Sequence, residues 1–357
     1  MARSPNPAKI YRWDEIDDLD WQVLLLGNGM SINVSSRFDY SSLYRRATRP
    51  DFERGLGERQ REIFELFETR NFEVVLGKLR DTIALAEALG EDAESYRERF
   101  LEIQAALGHT VREVHLKWPD VPAQTLAVIK EGLGDYRKVF STSYDLLAYW
   151  SIVHNGDYYR FRDCFWANDR NEFDPEDCEV GNGVTAIYYL HGALHLQVDG
   201  TGATRKLVKE EGRLLDQFGQ PISGDPEARP LLVSEGSHRD KVVAIEDNAY
   251  LAHAYDQLKA AHRPLVVFGH SLGEQDRHLC EAINANPERA VAVSVRVRDG
   301  KPPTWAEREL IREKLSSEEI YLFDAATHPL GSPELRVRKR RKGRPKGRRL
   351  RRRRLAS

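Results

Sequence analysis

Four short stretches hold residue types that can cradle a nucleotide or move a proton. Gly27-Asn28-Gly29-Met30-Ser31 follows an apolar run; glycines let a backbone approach a diphosphate, and the amides after them can bind its oxygens. The same pair also suits a plain tight turn. Ser141-Thr142-Ser143-Tyr144-Asp145 offers hydroxyls and a carboxylate for a ribose or a reactive water, or a cap for the helix expected over 146–153. His191-Gly192 ends a third apolar run and puts an imidazole where a general base near neutral pH would sit, although a lone histidine is also common as a structural residue. His195, four residues on, reads as a second polar group or a surface residue. Gly269-His270-Ser271-Leu272-Gly273 permits another close approach to a ligand, and Asp276 reads as a helix-start acid.

These stretches need a scaffold that brings strand ends together. Trp21–Leu26 (WQVLLL), Arg137–Thr142, Thr185–Leu190, Pro264–Phe268, Ala290–Val297 and Ile320–Phe323 have the continuous apolar character of strands buried on both faces. Between them the apolar spacing turns helical. Ile63, Leu66 and Phe67, then Phe72, Val75, Leu76 and Leu79, recur at three and four residues, and helices are expected over Ile83–Leu89, Tyr96–Leu116, Asp247–Ala261 and Glu274–Asn284. Strands alternating with helices predict an α/β fold, a Rossmann-like parallel sheet with helices on both faces and a helical insertion at about 50–125. The stretch 199–228, rich in Gly, Asp and Glu, reads as a long loop or hairpin excursion. In such sheets ligands sit outside the carboxyl ends of the strands, where all four chemical stretches fall.

The order of the stretches resembles the sirtuin-like (Sir2-like) family, particularly its bacterial branch associated with anti-phage defence. Sirtuins carry a glycine loop, a T-Q-N-x-D element, a histidine-glycine pair and a G-T-S-L element, in that order. The bacterial branch shows G-N-G, T-T-N-Y-D and L-H-G, close to Gly27-Asn28-Gly29, Thr142-Ser143-Tyr144-Asp145 and Leu190-His191-Gly192 here. The stretches SSRFDYSSLY, NFEVVL and VVFGHSLGEQDRHL are similar to an uncharacterised bacterial family within this group, and the resemblance spans Trp21 to Val297. It implies NAD as ligand or substrate, held by Gly27, Asn28, Gly29, Ser31, Thr142, Gly269 and Ser271, with His191, Ser143 and Asp145 as the catalytic set. The implied reaction is hydrolysis of NAD to ADP-ribose and nicotinamide, under control of a partner protein or a homo-oligomer. Two departures matter. The family's catalytic asparagine aligns with Ser143, which keeps open a weakened module that senses NAD or ADP-ribose. The four-cysteine zinc site and G-I-P-D-F-R loop of deacetylating sirtuins have no counterpart, so neither deacetylation nor a metal is expected.

Bulk properties agree with a globular protein. The 357 residues are 41% hydrophobic and 31% charged, and no apolar run reaches the roughly 18 residues that span a bilayer. Cys164, Cys178 and Cys280 are odd in number and widely spaced, which predicts free thiols in a reducing cytoplasm. The net charge of −2 conceals an asymmetry. Of 54 Lys and Arg, 14 lie between Arg336 and Arg354, so the rest of the chain sets 40 of them against 56 acids. An acidic domain over 1–335 followed by a basic, disordered tail over 336–357 is expected, the tail contacting nucleic acid or an acidic partner or serving nothing.

Overall fold

A computed structural model describes residues 5–337 except 71, 157, 167–170, 180, 182, 200, 209–213, 218–228 and 234–237. Most of the basic stretch, from residue 338 on, and much of the 199–228 excursion therefore lie outside the described residues. In chain order the elements are β1 (Val23–Leu26), α1 (Gly29–Val34), α2 (Tyr40–Ala47), α3 (Glu58–Leu66), α4 (Phe72–Leu89), α5 (Glu94–Val114), α6 (Ala123–Gly134), β2 (Lys138–Ser141) and α7 (Leu147–Val153). Then come β3 (Phe161–Arg162), β4 (Thr185–Tyr189), β5 (Gly192–Val198), β6 (Thr204–Lys206), α8 (Leu214–Gln217), β7 (Arg229–Leu232) and α9 (His238–Glu246). The chain continues through α10 (Ala249–Ala260), β8 (Leu265–Phe268), α11 (Arg277–Asn284), β9 (Val291–Val295), α12 (Trp305–Arg312) and β10 (Ile320–Asp324).

Seven strands form one sheet in the order β10-β9-β8-β1-β2-β4-β3, every pair parallel. The fold is α/β and Rossmann-like, with helices flanking the sheet. Leu24, Leu25 and Leu26 of β1 are wholly buried, as a central strand covered on both faces requires. The connections run to one side of β1 through β2 and β4 and return on its other side at β8, so the order reverses beside β1. That reversal is where doubly wound sheets open a crevice. The four strands that carry the chemical stretches, β8, β1, β2 and β4, are consecutive neighbours.

Three features depart from the sequence expectations. The first is a second, antiparallel sheet, β6-β5-β7. Its central strand, Gly192-Ala-Leu-His-Leu-Gln-Val, is buried along its whole length, and its glycine, histidine and glutamine hid it from a reading based on apolar runs. The second is His195, which is fully buried rather than at the surface, stacked on Tyr149 (4.3 Å between centroids) and edge-on to Tyr189 (4.6 Å). The third is a disulfide between Cys164 and Cys178, which corrects the expectation of free thiols at these positions; Cys280 is free and buried. Between the two cysteines, the backbone amide of Asp174 donates to the Cys164 carbonyl (2.9 Å). Among the described residues no helix is long and apolar enough to cross a membrane.

Candidate functional site

The loop after β1 is built against the loop after β8. Gly27 donates its amide to the Phe268 carbonyl and Gly29 to the Gly269 carbonyl, both at 2.8 Å. A methyl group on Gly29 would lie 2.5 Å from Gly269 Cα, and one on Gly27 would lie 2.7 Å from His270 Cα. Gly269 has a φ of +67°, a conformation that side chains rarely adopt. These three glycines therefore do the work of a tight packing joint, whatever else the loops hold.

Beside this joint the β1 and β2 loops share one carboxylate. Ser31, fully buried in α1, donates its hydroxyl to Asp145 Oδ2. Ser143 donates its hydroxyl to the same oxygen at 2.5 Å and also lies 3.4 Å from Asn28 Oδ1. The other oxygen, Asp145 Oδ1, accepts the Leu147 amide at 2.8 Å, so Asp145 caps α7 and ties two loops together at once. Thr142 donates its amide to the Leu26 carbonyl (2.9 Å), and Asn28 donates to the Phe38 carbonyl (2.8 Å). A residue missed in the sequence, His115, completes the group. Its Nδ1 donates to the Leu116 carbonyl (2.7 Å) and its Nε2 accepts the Leu146 amide (3.0 Å), which fixes one neutral tautomer. Burial pushes its pKa down, against the pull of Asp145.

His191 joins a different group. It is buried, and its Nε2 lies 3.0 Å from Nε2 of His278 on α11. Asp276, just before α11, pairs with the buried Lys241 of α9 at 2.9 Å, and His270 Nε2 stands 3.5 Å from its second oxygen. Asp276 stands at the start of α11, as expected of a helix-start acid, but makes no capping hydrogen bond to it and turns its carboxylate to Lys241 and His270 instead. Burial, reinforced by Lys241 and His278, pushes His191 well below the usual histidine range, and burial brings His278 down to about 4. Burial raises the Asp276 carboxyl, but His191, Lys241 and His270 outweigh it and leave its pKa lowered. The result is a set of imidazoles held neutral around an ionised carboxylate, able to accept hydrogen bonds at neutral pH. The turn into β5 is demanding: Gly192 has a φ of +73°, and a side chain there would overlap the Leu231 carbonyl.

Among the described residues no hydrogen bond links His191 to Ser143 or Asp145. Ser271 is exposed and joins neither group. His278 and Lys241 were missed in the sequence. The buried face of α11, on which His278 lies with Leu279, Ala282 and Ile283, was the available signal for the former; nothing local marks Lys241. Two clusters have metal-ligating types with donor atoms within 4.8 Å of one another: His191, Asp276 and His278, and Cys164, Cys178 and His253. In the first, the Lys241 ammonium already occupies the carboxylate that a cation would need. In the second, the sulfurs are bonded to each other.

The family described as a domain of unknown function, DUF4917, matches residues 24–329. The chain belongs to the DUF4917 family. That span takes in all ten strands except the first residue of β1, and both polar groups of the DUF4917 domain. No curated protein matches. Among solved structures the chain is similar to a Sir2 bound to acetylated peptide, at 12% identity and a TM-score of 0.38. It is likewise similar to a histidine-to-tyrosine Sir2 mutant with p53 peptide and NAD, at 13% and 0.36. Each match covers 91% of this chain and 96% of the other.

Proposed function

We propose that the protein is a sirtuin-like NAD hydrolase, releasing nicotinamide and ADP-ribose. One observation carries this reading: four stretches scattered from Gly27 to Gly273 meet at the carboxyl ends of four adjacent strands, beside the reversal of strand order. Sheets of this kind hold dinucleotides there. In this proposal Gly27, Asn28, Gly29, Ser31, Thr142, Gly269 and Ser271 form the dinucleotide site, and Ser143 and Asp145 stand beside it with His191 as the catalytic set. Water attacks C1′ of the nicotinamide ribose as the bond to the pyridinium nitrogen breaks. The bond's electron pair leaves with nicotinamide, and the proton lost by water passes to solvent. His191, kept neutral by burial, accepts a hydrogen bond from a ribose hydroxyl and so polarises it.

The test is nicotinamide release from NAD by the purified protein. His191→Ala is expected to lower it by about 100-fold or more, with NAD binding retained in calorimetry. Release that persists at the wild-type rate in His191→Ala would sink the assignment of His191.

A second reading, a sensor of NAD or ADP-ribose, is favoured by Ser143, whose hydroxyl is directed at Asp145 rather than held for a water. Ser143→Asn separates the two, because a sensor gains turnover and a working hydrolase changes little. The same proposal extends to anti-phage defence in the cytoplasm and to control by a partner protein or homo-oligomer. The cytoplasmic setting requires Cys164 and Cys178 to be thiols in the cell. The basic stretch 336–354 is proposed to dock nucleic acid or an acidic partner. Deleting it is expected to abolish retention on a nucleic-acid column, and unchanged retention would remove that role.

A further inference from the structure

A cavity of about 500 Å³ opens between α7, β3, β4 and β6, and none of the residues expected to bind NAD lines it. Its volume is that of a small-molecule site. The walls are mainly aromatic: Trp118, Tyr149, Trp150, Phe165, Trp166 and Tyr189 all face it. Trp118 and Trp150 meet edge to face at 5.4 Å, an arrangement that leaves flat ring faces for a third ring to stack on.

The polar side chains of the cavity wall are few: Arg162, Asp163, Asn171, Lys206 and the tyrosine hydroxyls. Lys206, on β6, holds both oxygens of Asp163 at 2.9 and 3.0 Å, and the pair is buried. The same ammonium lies 4.6 Å from the centre of the Trp166 ring, and the Arg162 guanidinium lies 5.0 Å from it. Lys206 is engaged by Asp163, and Asp177 accepts the Trp166 backbone amide. The cation left to answer a ligand is Arg162, which has no ion pair among the described residues and lies over Trp166, a residue that at 38% exposure stands at the mouth. Deeper in, the Tyr189 hydroxyl is buried with no hydrogen-bond partner among the described residues. A buried hydroxyl left so is destabilising, and a ligand acceptor or donor in the cavity would satisfy it.

We propose that this cavity is a second ligand site that takes a planar aromatic molecule carrying one anionic group, the rings among Trp118, Tyr149 and Trp150 and the anion at Arg162. The proposal is independent of NAD chemistry at the strand ends. Three of the six tryptophans line the cavity, so occupancy reads out in intrinsic fluorescence.

The probe is 8-anilino-1-naphthalenesulfonate, added to the full-length protein, with the uncharged N-phenyl-1-naphthylamine as its partner. The sulfonate is expected to bind saturably at one molecule per chain, with its emission rising as tryptophan emission falls. The uncharged probe is expected to bind at least about fivefold more weakly, the scale of one partly exposed charge contact. Arg162→Gln is expected to remove that difference without altering the circular dichroism or thermal midpoint. Ile152→Trp, which fills the cavity from α7, is expected to abolish both. Absence of saturable binding by the native protein overturns the site, as does unchanged binding by a folded Ile152→Trp. Equal affinity of the two probes overturns the anionic assignment. NAD turnover serves as the separate readout, because its presence or absence leaves each of these outcomes intact.

Discussion

Two buried lysine–aspartate pairs, each at 2.9 Å, stand in contrasting surroundings. Lys241–Asp276 lies among His191, His270 and His278 at the strand ends, and Lys206–Asp163 lies in the aromatic wall of the cavity. Burial acts first on both carboxyls and raises their pKa values. At Asp276 the lysine and imidazoles together outweigh it and the pKa falls; at Asp163 burial outweighs Lys206 and the hydrogen bonds from Phe165 and Trp166, and the pKa rises. One ion pair does not offset the desolvation of a fully buried carboxylate, whereas a lysine joined by imidazoles does. The strand ends thus gather several polar groups around one carboxylate, although His278 Nδ1 has no partner among the described residues. The cavity leaves space, a guanidinium with no ion pair among the described residues and an unanswered hydroxyl.

The largest test of this contrast is Asp276→Ala, which strands Lys241 beside three histidines. It is expected to lower unfolding free energy by about 4 kcal/mol in urea titration, while the double change Asp163→Leu with Lys206→Met is expected to be close to neutral. Similar losses from both changes would erase the distinction.

Acid probes the same difference. The His278 pKa, lowered to about 4 in the folded protein, means the unfolded chain binds more protons between that value and the ordinary 6.5. Stability is therefore full above pH 6.5 and falls as the pH drops toward 4, by about 3 kcal/mol from this residue at most. Asp163 works in the opposite sense: its raised pKa favours protonation in the folded state, so lowering the pH through that folded value adds stability. A His278→Asn variant is expected to show a flatter decline between pH 6.5 and 4.5, read by denaturant midpoints, and an unchanged slope would count against the neutral imidazole.

Reducing the Cys164–Cys178 bond, with 14 residues of separation, is expected to cost about 3 kcal/mol on loop-closure grounds. Because Cys164 lies between Asp163 and Phe165, reduction is also expected to loosen the cavity wall more than the strand ends. Hydrogen exchange would locate the change, and protection lost first around His191 would reverse the expectation. The smallest effect belongs to Ser31→Ala, which removes one of the two hydroxyls on Asp145 and is expected to lower the thermal midpoint by an amount corresponding to about 1–2 kcal/mol.

The strands at the centre of the sheet were readable because β1, β2, β4, β8, β9 and β10 are short apolar runs, and burial on both faces leaves that mark. The chemical stretches were readable for a related reason: turns at strand ends need glycine, serine and histidine within a few residues of an apolar run. What the sequence hid was made by distance. β5 is buried by a partner strand some 35 residues away and needs no apolar continuity of its own. The Lys241–Asp276 and Lys206–Asp163 pairs join residues 35 and 43 positions apart, and the cavity gathers walls from Trp118 to Leu214. No local spacing encodes an empty volume. The grouping of Ser143 with Asp145 was visible as a motif, but the separation of that group from His191 was not, because it depends on which face each strand end turns toward its neighbours.

The glycine joint between the β1 and β8 loops bears on how variants of this protein are to be interpreted. At Gly27, Gly29 and Gly269 the obstacle to a side chain is backbone or an adjoining Cα, so no trimming of a neighbouring side chain could make room. A mutational library selected only for folding should therefore retain glycine at these three sites in protein that never meets a nucleotide. Invariance there would be a record of two loops that touch. Tolerance at Ser271, which carries no such constraint, would be the more informative reading of whether a ligand is present.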